Sequence, residues 1–559
     1  MPMMSGSRLF AQAMHAYGVS HVFFVPAILM EAMAEMEDLG ITRVVTHAEK
    51  AAAYMADGYA RASRRPGVCL AQHVGAANLA AGLRDAYMAC SPVIAVTGGD
   101  DATTHYRHAY QQIDDFPIFG PVTKFAAQMD AVQRLPDLLR QCFREATTGT
   151  PRPAYLRVPG NEGSLIRRQA DMELLAEPRF ARFPAFRPAA DPFHVERAVE
   201  LLLAADRPMI VAGGGVAISD AGPELIDLAE RLSIPVATAL NAKALMPDNH
   251  PLNVGVPGTY SRECANGLLA QADTVFFVGS QTGSQVTNNW KVPAAPKAVV
   301  QLDIDPAEIG RNYPATAPIV GDAKVALRQL LDAAGTAQVE RDSWLGTVRD
   351  VVGGWKARTA PLRSSDAVPI HPARICKAIG DVLPPDGILL SDTGHSGIWT
   401  GQFVELNLPG QCYLRCAGSL GWALPAAIGA KCALPDKPLV AFNGDGGFLY
   451  HVAELETAVR YGVNVVVVVN NNHAYSQEKR LFDAAYGGQQ RGRAHDMWVF
   501  RELNLARIAE DFGCLGIRVE SPADLEPALR HALDAGRPAV VDVVADIDAQ
   551  AERGWAPEA

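Results

Sequence analysis

The stretch Leu439-Val440-Ala441-Phe442-Asn443-Gly444-Asp445-Gly446-Gly447, read together with Asn470-Asn471-Asn472, decides the architecture of this chain. Leu439 to Phe442 is apolar throughout, the pattern of a strand buried on both faces, and it ends at a Gly-Asp-Gly turn. From Val452 to Tyr461 apolar residues recur at helical spacing, and Gly462 supplies the stop. Val463 to Val469 is a second near-continuous apolar run. A strand–helix–strand unit of this kind crosses right-handedly and leaves its strands parallel, often as neighbours. Asp445 and the asparagines then leave adjacent carboxyl ends, the edge at which open α/β sheets bind ligands. One carboxylate, one amide oxygen and glycines that admit phosphate to the backbone form the donor set for a hydrated Mg²⁺–diphosphate. A lone Gly-Asp-Gly is an ordinary tight turn; the asparagines one helix later give it weight.

Working outward, 559 residues are too many for one core, so two to four domains are expected. With 49% apolar and 20% charged residues the composition is that of an ordinary globular protein. The net charge of -11 and the lack of a basic stripe argue against nucleic acid. No apolar run is long enough to span a membrane. The opening Met1-Pro2-Met3-Met4-Ser5 has no basic stretch leading into an apolar one, so a cytoplasmic location is expected. Nine scattered cysteines without a CxxC pair read as reduced thiols.

Strand and helix signals alternate in three blocks, 1–185, 192–345 and 365–559, each expected to be a doubly wound parallel α/β sheet. A Pro- and Arg-rich passage from Glu177 to Pro192 separates the first two, and Arg363 to Asp366 precedes the third. In the second block Gly213-Gly214-Gly215 follows a strand but lacks the full dinucleotide fingerprint, and it reads as a structural turn. The last helix is expected to take Ser521 as its cap and Pro522 as its first residue.

In the first block, Thr46-His47-Ala48-Glu49-Lys50-Ala51 opens a helix of small residues after a buried strand. Alone, Glu49 is a glutamate favoured by the helix dipole. Together with the Asp445 and Asn472 motif, the run closely resembles the thiamine-diphosphate enzymes of the acetolactate synthase, pyruvate oxidase and benzoylformate decarboxylase group, in order along nearly the whole chain. The resemblance implies pyrimidine-binding, central and diphosphate-binding domains. It implies that Glu49 bonds N1′ of the cofactor's aminopyrimidine and that Asp445, Asn472 and the carbonyl of Ala474 ligate Mg²⁺. Gly446 and Gly447 then face the diphosphate, as do Gly394, His395 and Ser396, with Tyr475 beside them. Gly418 offers its carbonyl to the 4′-amino group, and Leu420 is the wedge under the bent cofactor. The subunits are expected to form a homodimer or homotetramer, with each active site shared between two of them.

The resemblance also bears on substrate. Tyr110-Gln111-Gln112 is similar to the Phe-Gln-Glu of acetolactate synthases, which makes Gln111 a candidate for the reaction site. His73 replaces a glycine of the family's turn and is a candidate polar group near the cofactor. Ile28 stands where simple decarboxylases carry Asp or Ser. These points favour an enzyme that decarboxylates a 2-oxo acid and joins the acyl unit to a second carbonyl. A benzoylformate decarboxylase-type enzyme and a 2-hydroxyacyl-CoA lyase are the alternatives. A non-catalytic paralogue would be free to lose Glu49 or the metal pair, and both are present. Acetolactate synthases hold FAD through an Arg-Phe-Asp-Asp-Arg segment; here Ser280 to Gln285 lacks both arginines, which argues against FAD.

Overall fold

The computed structural model describes residues 3–552 and 554–557. It contains three parallel sheets of six strands each. The first runs, in space, Thr42–Val45, His21–Phe24, Gly67–Ala71, Val93–Thr97, Ala154–Arg157, Phe125–Gln128. The third runs Cys412–Arg415, Ile388–Ser391, Leu439–Gly444, Val466–Asn471, Ala539–Val544, Leu515–Val519. Numbered by appearance, both have the order 2-1-3-4-6-5. The middle sheet differs: Asn253–Gly255, Val236–Thr238, Pro208–Ala212, Thr274–Val278, Ala298–Asp303, Ala317–Val320, or 3-2-1-4-5-6, the dinucleotide-domain order.

The apolar runs form the central strands because both faces are covered. Val465 through Val469 are all buried, favourable by roughly 1.5–3 kcal/mol per side chain. Two elements differ from expectation. The helix after the Gly-Asp-Gly turn is split into Asp445–Leu449 and Glu454–Arg460, with turns at 450–453. The strand after it is Val466–Asn471, later than its apolar run, because it pairs with Ala539–Val544 as far as Asn471. At the end of the chain, Pro522–Asp524 is a 3-10 turn before the helix Leu525–Asp534, and Ser521 makes no side-chain cap.

Two equivalent helices join the outer domains. Glu49–Ser63 and Ala423–Ala433 each follow the second strand of their sheet. A Cβ on Gly58 would collide with the Ala426 carbonyl, and one on Gly429 with the Met55 carbonyl, so glycine permits the backbone approach. The 22-residue helix Asp342–Arg363 crosses residue 345 and buries Trp344 in the second domain's core and Trp355 in the third's. All nine cysteines are unpaired. Among the described residues no helix is long and apolar enough to cross a membrane.

Candidate active site

Four loops leave the carboxyl edge of the third sheet together. They are Asp392-Thr393-Gly394 before the helix His395–Phe403, the segment 416–422, the helix Asp445–Leu449, and the segment from Asn472 to the turn Ser476–Glu478. Gly444 lies opposite Asn470 in the parallel register, which sets Asp445 beside the asparagines as the sequence led us to expect.

Asp445 is 4% exposed. Its Oδ1 accepts from Gly446 N at 2.7 Å and its Oδ2 from Ala474 N at 3.1 Å. Burial pushes its carboxyl up to about 7, although backbone N–H groups of residues 446 and 472–474 pull the other way. A cation here would restore the charged form. Asn472 donates through Nδ2 to Ser476 Oγ at 2.9 Å, so the atom it can offer a cation is Oδ1. Ser476 Oγ also meets His395 Nδ1 at 3.1 Å, which ties the first of these loops to the last. Ser396 is buried close to Gly444, and the Tyr475 ring lies against Gly446. Gly394 takes φ +66° beside the Gln477 amide. Asn470 Oδ1 and Gln477 Oε1 are buried without a hydrogen-bond partner. An edge with acceptors in excess of donors suits a cation and its waters. Among the described residues no three His, Cys, Asp or Glu side chains cluster for a metal, consistent with a donor set of one carboxylate, one amide and one carbonyl. The N–H of Gly446 is engaged by its neighbour Asp445, which leaves Gly447 as the other glycine expected at the diphosphate.

Asp392 shapes the neighbouring loop. Its Oδ1 accepts from Thr393 N at 2.8 Å and Gly421 N at 3.2 Å, and its Oδ2 from Asn443 Nδ2 at 3.0 Å and Ala423 N at 3.1 Å. Burial still holds this carboxyl up at about 6. The result is a segment on which Gly418 is exposed, with open space where a Cβ would stand, and Leu420 is half-buried.

In the first domain Glu49 is the first residue of its helix. Asn78 Nδ2 donates to its Oε2 at 3.1 Å, and a Cβ on Gly75 would lie 2.5 Å from its Oε1. Glycine at 75 leaves room for the carboxylate in this position; a side chain there would push it aside. Among the described residues no hydrogen bond or ion pair joins Glu49 to the Asp445 cluster of the same chain. His73 is 2% exposed; Arg157 Nη2 lies 3.0 Å and Asp115 Oδ1 3.3 Å from its Nε2. Within one chain it is a member of a buried ion cluster. Gln111 takes φ +63° on the exposed loop above that cluster, and its Oε1 is buried without a partner. Ile28 is wholly buried in the first domain's core, so it faces no site within the chain.

The middle sheet has a cleft of about 360 Å³ at its switch point, lined by Gly213–Gly215, Ser280–Gln285, Asp303 and Asp322. The turn expected at Gly213–Gly215 is shorter than the triple glycine: Gly213 caps the helix Gly214–Ser219, and Gly213 and Gly215 pack against Gly279 too closely for any side chain. Arg415 is the one cation among the lining residues, and it is engaged on Asn241 Oδ1 at 3.0 Å and Gln285 Oε1 at 2.6 Å.

Four loops converging on one edge of a parallel domain, with a helix-opening carboxylate on its topological twin, define the ligand-binding edge of an α/β enzyme. The comparisons agree with this. Residues 4–118 match the N-terminal TPP binding domain of thiamine pyrophosphate enzymes, 195–330 the central domain and 392–543 the C-terminal TPP binding domain. A probable acetolactate synthase large subunit of Methanocaldococcus jannaschii is 33% identical over 97% of this chain and 92% of its own length. The acetolactate synthase large subunit of Corynebacterium glutamicum is 30% identical over 98% of the chain and 88% of its own, and that of Haemophilus influenzae 28% over 95% and 92%. The chain belongs to the thiamine pyrophosphate enzymes, in the acetolactate synthase-like group of decarboxylases and carboligases.

Two residues that the sequence reading did not single out are Asp392 and Asp85, whose carboxylates bind the backbone of the 416–423 segment. Asp392 opens the Asp392-Thr393-Gly394-His395-Ser396 loop without a role of its own in the resemblance, and nothing in the sequence marks Asp85; only the assembled backbone gives them these partners.

Proposed function

We propose that the enzyme decarboxylates a 2-oxo acid and joins the acyl unit to a second carbonyl compound, as the names of its acetolactate synthase relatives suggest. The observation that carries this is the buried Asp445 carboxyl set beside Asn472 and Ala474 at adjacent strand ends. In this reading Mg²⁺ would be held by Asp445, Asn472 Oδ1 and the Ala474 carbonyl, and the diphosphate would meet Gly394, His395, Ser396 and Gly447, with Gly446 bound to Asp445 and Tyr475 packed alongside. Thiamine diphosphate, when bound, supplies an electron-accepting thiazolium and an aminopyrimidine that can relay a proton. Glu49 holds and returns the proton at N1′, and the Gly418 carbonyl orients the 4′-amino group. Leu420 would pack under the cofactor, and Gln111 would line the acceptor side. His73 supports that side through Asp115 and Arg157.

Glu49 has its bonded neighbours in its own domain, so we assign its cofactor to a second subunit and the working unit to a homodimer or homotetramer. The middle cleft lacks the paired arginines of the flavin-binding segment, with Gln281 and Gln285 among the residues there, and we assign it no FAD. The test is a panel of 2-oxo acids and aldehydes, supplied with thiamine diphosphate and Mg²⁺ and read by mass spectrometry. Coupled 2-hydroxy ketone products are expected; free aldehyde alone would move the assignment to a simple decarboxylase.

A further inference from the structure

The segment from Cys416 to Ala423 is held by two domains at once. Its own domain contributes Asp392, which takes the N–H groups of Gly421 and Ala423. The first domain contributes Asp85, on the helix Ala76–Met88, wholly buried. Asp85 Oδ1 accepts from Ala417 N at 2.8 Å, and its Oδ2 accepts from Gly418 N and Ser419 N, each at 3.0 Å. Cys416 Sγ donates to Oδ2 at 3.3 Å, and Arg61 Nη2 reaches Oδ1 at 3.3 Å. Arg61 also pairs with Asp57 at 2.6 Å and donates to the Arg415 carbonyl at 2.6 Å, while Trp422 Nε1 donates to Asp57 Oδ2 at 2.8 Å.

Two carboxylates therefore face one guanidinium in a buried cluster. A buried charge without a partner is strongly unfavourable. Here the remaining negative charge is met by three consecutive backbone N–H groups, an arrangement that fixes the conformation of the segment as well as the charge. In a trans peptide the C=O of one residue points opposite to the N–H of the next. Because the Ser419 N–H is aimed at Asp85, the Gly418 carbonyl is aimed away from it. Gly418 is exposed and has open space beside it.

We propose that Asp85 is a positioning residue for the aminopyrimidine half of the cofactor: by holding the N–H groups of residues 417–419 it sets the direction of the Gly418 carbonyl. This rests on the thiamine diphosphate assignment above. Asp85 touches neither cofactor nor substrate, and it acts through the backbone of another domain. Asp392 holds the far side of the same turn, so the carbonyl sits between two anchored ends.

Asp85→Asn tests it, because the amide places an NH₂ where a carboxylate oxygen accepted backbone N–H groups. Binding of three probes in the presence of Mg²⁺ is read by tryptophan fluorescence: thiamine diphosphate, oxythiamine diphosphate (whose 4′-oxygen replaces the amino group) and inorganic pyrophosphate. Losing charge-assisted hydrogen bonds should weaken thiamine diphosphate by about tenfold. Oxythiamine diphosphate has no amino proton for the Gly418 carbonyl and should weaken far less, and pyrophosphate should be unchanged. Equal weakening of all three, or no change in any, would overturn the proposal while leaving the cofactor assignment intact. A wild-type protein that fails to bind thiamine diphosphate would overturn both. If Asp85→Asn does not fold, amide exchange across 416–423 in the unliganded wild type decides the matter. Slow exchange is expected, and exchange as fast as in the exposed loop 101–109 would overturn the proposal.

Discussion

The two outer domains share one strand order and differ in what leaves their edges. After the second strand, the first domain sends out Thr46-His47-Ala48-Glu49 and the third sends out the 416–422 segment. After the third strand come Gln72-His73-Val74-Gly75 in one and Asp445-Gly446-Gly447 in the other. The scaffold supplies equivalent positions, and the residues placed there supply the chemistry. One edge offers a carboxylate that a neighbouring glycine leaves room for; the other offers the buried Asp445 carboxylate, to which we assign a cation. The equivalent helices meet through their glycines, so the twin domains pack as a pair within the chain. The middle domain, with another strand order, carries a cleft at its own switch point.

The largest expected effects separate the outer edges. Glu49→Gln should retain cofactor yet lower kcat by about 100-fold or more, the scale of a lost proton-transfer group. Asp445→Ala should abolish Mg²⁺-dependent binding of thiamine diphosphate, as read by titration calorimetry. If both variants turned over normally, the division of labour between the edges would be wrong.

Next comes the packing of the twins. Gly429→Val drives a side chain into the Met55 carbonyl and should cost about 1–3 kcal/mol or more, measured by denaturant unfolding. A variant as stable as the parent would mean that the two helices do not need this approach.

The junction of the middle and third domains gives a pH signature. Asp248 is buried with Lys243 at 3.0 Å and Arg262 at 2.8 Å, and it accepts from Leu406 N in the third domain. Burial opposes its ionisation, but the two cations outweigh burial and hold its carboxyl at about 2. A depressed acid stabilises the fold at pH above the unfolded value near 4, and that stability is lost as pH falls towards 2. The loss should be about 2 kcal/mol. Thermal unfolding across that range should be less steep in pH for Asp248→Asn; an unchanged slope would remove Asp248 from the junction's electrostatics.

The smallest effect concerns the cleft of the middle domain. The purified protein should lack the flavin band near roughly 450 nm that a bound isoalloxazine requires. Its presence would make the middle domain a cofactor site and weaken the contrast with its neighbours.

Much of this was legible in the order of residues. The Asp445 and Asn472 pairing followed from two apolar runs and the helix between them, because a short crossover leaves little freedom in how such strands pair. Glu49 was legible as the opening of its helix, whereas Gly214 and Gly215, read as part of a turn, open a helix of their own. The split after Leu449 and the 3-10 turn at Pro522 were not, because periodicity registers an apolar face and not which backbone bonds close each turn. His73 reads as a site residue along the chain, yet Asp115 and Arg157, far away in sequence, enclose it.

By itself the sequence determined the α/β class and the three-block organisation, since these depend on local pattern and on neighbours a few tens of residues apart. Only the tertiary structure decided the strand order that the outer sheets share, that Gly75 makes room for Glu49, and that Asp85 reaches the backbone of 417–419. A carboxylate's role depends on which donors surround it, and those donors come from segments more than three hundred residues away.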